Sequence, residues 1–141
     1  MTVVCGRTGL VRIVGLAVVG AALAVVAPAI SQDRAPTVPS GIVLSLHEVL
    51  EDVQPDGALW LRLRYVAPGL TVDQHQRMVD DFAALCDSQA LAYTPEQGRP
   101  ASQAVISIAS AEVDFGASAP DITQFFEAFR LENGTCIWEI F

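Results

Sequence analysis

The chain is 141 residues long, room for one domain beside a targeting segment, and it sets sixteen acidic residues against eight basic ones for a formal net charge of −8. Such an acidic surface argues against nucleic acid as a partner and against docking on anionic lipid, since either would repel it. Every basic residue is an arginine.

Residues 1–31 read as an export signal. Arg7 and Arg12 precede an unbroken apolar run over 13–27, and Ala29 and Ser31 put small residues at the −3 and −1 positions of a cut before Gln32. An uncleaved membrane anchor is the alternative, because the apolar stretch approaches a spanning length if 28–30 are counted. Both readings export the remainder, to the periplasm or beyond. Cleavage leaves six arginines against sixteen acids, a net charge of −10, and no means of stable membrane association. It also removes Cys5, so that Cys86 and Cys136 form an even pair in an oxidising compartment.

Residues 32–40 are polar and Pro-rich, a flexible or extended lead-in to a single domain over 41–141. Along 41–52 Ile42, Leu44 and Leu46 alternate with Val43, Ser45 and His47, the period of a strand. Gln54-Pro55-Asp56-Gly57 is a turn, and a second strand covers 58–67. Pairing Glu51 with Ala58 sets Leu44, Leu46 and Leu50 opposite Tyr65, Leu63 and Leu59. The same register sets Ser45 opposite Arg64 and His47 opposite Arg62, with Trp60 beside Val49.

Thr71-Val72-Asp73-Gln74 is a capping box opening a helix that reaches about Ser88 or Gln89. His75, Met78, Val79, Phe82, Leu85 and Cys86 form its apolar stripe, while Arg77, Asp80, Asp81 and Asp87 face outward. A loop follows over 91–102, a buried strand over 103–110 and an irregular stretch over 111–120. Asn133-Gly134 then marks a tight hairpin. With these two as the loop, Leu131 faces Cys136 and Phe129 faces Trp138. Phe129, Leu131, Cys136, Trp138 and Ile140 thereby make an apolar wall on which the domain is expected to pack. The order ββαβββ predicts an α+β domain of about five mostly antiparallel strands, with the helix across one face. Cys86 on the helix and Cys136 on the wall are placed to form a disulfide joining the two layers.

The export signal together with PSGIVLSLHEVLED, ALWLRLRYVAPG and TQFFEAFRLENGTCIWEIF resembles a family of small exported alphaproteobacterial proteins defined only as a domain of unknown function. The resemblance covers nearly the whole chain after the signal and implies no catalytic residue and no cofactor. Some relatives carry the label acetolactate synthase, yet this chain has no room for a multidomain thiamine-diphosphate enzyme.

Candidate chemistry is sparse. His47 and His75 lack the paired spacing of a metal site, and the cysteines are better used in a disulfide. Cys86 lies about three helical turns from His75, too far to be activated by it. No G-x-S-x-G is present, and Ser107 reads as a small buried strand residue. Glu51-Asp52 and Asp80-Asp81 read as solvated charge, while Asp114, Asp121 or Glu127 could assemble across a cleft. One constellation remains: Ser45, His47, Trp60, Arg62 and Arg64 on one hairpin face. There the arginines could hold a carboxylate or phosphate, Trp60 could stack and His47 could make binding pH-dependent. Weak surface pairing of the arginines with acids is the ordinary alternative. The sequence therefore predicts an exported cell-envelope binding or interaction module whose partner is an envelope protein or a small anionic ligand. Its rivals are a small envelope hydrolase using carboxylates or His47, and a structural partner subunit offering a strand edge.

Overall fold

The computed structural model describes residues 35–140. The export signal with its cut before Gln32, Cys5 and Phe141 lie outside the described residues. Five strands, β1 (Ser45–Val53), β2 (Leu59–Val66), β3 (Gln103–Ala109), β4 (Gln124–Glu132) and β5 (Thr135–Glu139), form one sheet in the order β1-β2-β3-β4-β5. Every neighbouring pair is antiparallel except β2 with β3. That parallel pairing follows from the helical crossover between them, since no tight turn can join parallel neighbours.

The crossover is less regular than its stripe predicts. A 3₁₀ segment (Val72–Arg77) leads into the short helix α1 (Val79–Leu85), and a π turn (Cys86–Ala90) ends it. The capping box is present, with the Gln74 side chain accepting from the Thr71 N–H at 2.9 Å. At the far end the Ser88 hydroxyl donates to the Ala84 carbonyl at 2.6 Å, and the Leu91 N–H reaches the Cys86 carbonyl at 3.1 Å. A hydroxyl competing for a helical carbonyl loosens the ladder there. Met78, Phe82, Leu85 and Cys86 are buried in one cluster with Leu61, Leu63, Tyr65, Ile106 and Ile108. Tyr65 brings its hydroxyl into this core with no partner among the described residues, and burial pushes its titration up.

Three expectations need correction. The first hairpin closes between Gln54 and Ala58, with Gly57 at φ 86° and the Gln54 N–H bonded to the Ala58 carbonyl at 2.8 Å. β1 therefore runs on through Val53, and Glu51 faces Leu61 rather than Ala58. His47 is a bulge between the pairs Leu46–Tyr65 and Glu48–Arg64, so Leu46 and Val49 share a face although three residues apart. Second, Asp81 is 0 % exposed and not on the outer face. Its carboxylate accepts the Ser40 N–H at 2.8 Å and the Ser40 hydroxyl, which with buried Val38 ties the lead-in to α1. Third, the domain does not centre on the last hairpin. Leu131 faces Cys136 and Phe129 faces Trp138, and Cys86 and Cys136 are joined by a disulfide. But β5 is the edge strand, leaving Trp138 50 % and Ile140 85 % exposed, and the deepest burial is on β2 and β3.

Candidate functional site

Strand alternation gives the sheet two unlike faces. Leu61, Leu63 and Tyr65 turn toward the helical segment, so Trp60, Arg62 and Arg64 turn away from it. The pairing sets Gln103, Val105 and Ser107 of β3 beside these three, and Ala128 and Phe126 of β4 come next. Among the described residues no helix covers this outer face. Instead the segment 113–117 folds over it and walls one side of an open groove of about 440 Å³. Gly116 at φ 79° supplies the turn, with the Ala117 N–H bonded to the Asp114 carbonyl at 3.0 Å.

The arginines hold this groove together. Arg62 donates through Nε and Nη2 to one oxygen of Asp52, at 3.0 and 2.8 Å. These hydrogen bonds hold the Asp52 carboxyl below the usual carboxylate range. Arg64, with a side chain 10 % exposed, donates to Glu48 and to the Val113 carbonyl. Phe115 lies over both guanidinium groups, at 5.2 Å from Arg62 and 5.7 Å from Arg64, and Trp60 lies 5.9 Å from Arg62.

Of the predicted face, Trp60, Arg62 and Arg64 line the groove together. Ser45 does not line it: the corrected register moves it opposite Val66. His47, in the bulge, stands 3.7 Å from Glu48 and 3.5 Å from Glu112, also outside the lining. Both arginines thus follow the ordinary alternative of pairing with acids, Arg62 with Asp52 and Arg64 with Glu48, and Arg64 also holds the Val113 carbonyl. Glu51 and Asp52 are likewise not simply solvated. Glu51 accepts from the Tyr93 hydroxyl at 3.0 Å and the Glu96 N–H at 2.8 Å. Burial, then the bond to Glu51, raise the Tyr93 titration.

The other carboxylates do not converge. Asp114 lines the groove, whereas Glu127 lies on the opposite face, accepting from the Trp138 indole at 2.8 Å and standing 3.6 Å from His75. Asp121 is exposed and outside the lining. Among the described residues no three His, Cys, Asp or Glu gather where a metal could sit, and no helix is long and apolar enough to cross a membrane. Sequence reasoning missed Gln103, Val105, Phe115 and Phe126. The first two alternate with Ala104 and Ile106 in a strand read only as buried, and Phe115 arrives from an irregular loop with no periodicity.

The profile of the family of unknown function DUF6497 matches residues 18–141, and the chain belongs to this family. No curated protein and no solved structure matches the chain.

Proposed function

We propose that this member of a family of unknown function is an exported binding module of the cell envelope, with its ligand seated in the outer-face groove. The observation that carries the reading is the grouping of Trp60, Arg62, Phe115 and Phe126 around one cleft, within the size range of small-molecule sites. Export is supported by the basic, apolar and small-residue order of residues 1–31, and the disulfide suits an oxidising compartment. Mass spectrometry of the envelope fraction then finds a chain beginning at Gln32; a full-length membrane-bound form would mean an anchor instead. For the groove, envelope metabolites are screened by thermal shift on wild type and on Phe115→Ala/Phe126→Ala. A ligand whose stabilisation survives both substitutions places binding elsewhere.

A second reading, a structural partner subunit, is favoured by the edge position of β5. Among the described residues no strand pairs along its outer side, and Trp138 and Ile140 stand exposed beside it. Ile140→Glu should then release a co-purified envelope protein, and retention of that protein would remove this reading.

A further inference from the structure

Both arginines of the groove are paired with carboxylates of β1. Arg62 faces Asp52, and Arg64 faces Glu48. An anion would have to share each guanidinium with a carboxylate already bound to it, so its attraction is largely offset, within a chain of net charge −8. A cation fares no better. The faces of Trp60 and Phe115 that would receive it already carry guanidinium groups at 5.9 and 5.2 Å, so like charges would meet. The exposed Asp114 offers such a cation only a screened attraction.

The remaining recognition surface is neutral. Phe126 is 68 % exposed, and Val105 and Ala128 extend its apolar wall. Gln103 and Ser107, both mostly buried, bring a carboxamide and a hydroxyl to the groove lining. A carboxamide and a hydroxyl offer both donors and acceptors without charge. We propose that the groove takes an uncharged small molecule with a flat apolar body and a neutral hydrogen-bonding group. The body lies against Phe126 and Phe115, and the polar group meets Gln103 and Ser107. This rests on the groove being the binding site.

Benzamide, benzoate and benzamidine share one shape and carry charges of zero, minus one and plus one, so they separate charge from fit. Each is titrated into the disulfide-bonded protein while the amide signals of Val105, Phe126 and Ala128 and the Trp60 indole are followed by NMR. Benzamide should shift these signals and bind at least about fivefold more tightly than either charged probe. Gln103→Leu or Ser107→Ala should weaken it by about fivefold, the loss of one neutral hydrogen bond. If benzoate or benzamidine binds these residues as tightly as benzamide, the charge inference falls while the groove stands. If no probe moves these signals, the groove reading falls and the inference with it.

Discussion

The Arg64 guanidinium on the outer face of β2 donates to the carbonyl of Val113, 49 residues further along the chain. This bond joins a strand of the sheet to the segment that walls the groove. The same guanidinium pairs with Glu48 on β1, so one side chain spans three parts of the fold. Its aliphatic stem and charged head are nearly buried, and the cost of that burial is offset only while both acceptors are in place.

Replacing Arg64 with Leu should therefore act in two places. It strands Glu48 and frees the Val113 carbonyl, costing about 1.5–3 kcal/mol, the range for hydrogen bonds to a charged group. Hydrogen exchange should quicken at the amides of 113–117 by more than the global loss of stability accounts for. Equal acceleration throughout the domain would mean that Arg64 is not a latch for that segment.

Asp81 offers a second test. Its carboxylate is enclosed and accepts two donors from Ser40, so Asp81→Ala leaves both donors without a partner and should cost about 1–3 kcal/mol. Ser40→Ala removes only the hydroxyl and should cost less. In a double-mutant cycle by urea denaturation the two changes should be strongly non-additive, because they remove the same contact. Additive losses would show that the lead-in is not held by this pair.

The last hairpin was legible because Asn133 and Gly134 both adopt positive φ, 52° and 72°, as a two-residue turn of this kind requires. That turn chemistry fixed Leu131 opposite Cys136 and brought the disulfide within reach. The first hairpin was not legible in register. A one-residue bulge at His47 changes the phase of β1 without a composition signal, and the Pro55–Gly57 loop could be closed at more than one pair. Trp60, Arg62 and Arg64 were placed on one face by period two alone. Their partners were not, because Glu48, Val113 and Phe115 reach them through that bulge and through a loop without periodicity. Asp81 was misread for a different reason: helical spacing assigns a face, but only tertiary contact with Ser40 makes burial of a carboxylate tolerable.

The disulfide should carry a large share of the stability. Cys86 is fully buried under the sheet, and its bond to Cys136 closes a loop of sequence separation 50. Cys136→Ala should lower the unfolding free energy by about 2–5 kcal/mol, as is usual for a small domain that loses a native bridge. Denaturant melts with and without reductant supply the comparison: reductant should destabilise wild type and leave the variant unmoved. Non-reducing peptide mapping that returned two free thiols from exported protein would remove the premise.

Acid should weaken the groove through Asp52. Hydrogen bonds from Arg62 hold its folded-state titration below the ordinary value, so this carboxyl contributes stability that is fully present above its unfolded pKa. The contribution is lost as pH falls from the ordinary carboxylate range, near about 4, down through the depressed folded value. Asp52→Asn keeps the shape and removes the titration. Wild type should therefore be the more stable protein at neutral pH, and the gap should close as the solution is taken below about pH 4. The side chain is partly open to solvent, so the difference is small and is best read from paired denaturation midpoints at low salt. A gap that stayed constant from neutral pH into strong acid would mean that the Arg62 pair contributes nothing through charge, leaving Arg62 to act only as a stacking surface for Phe115.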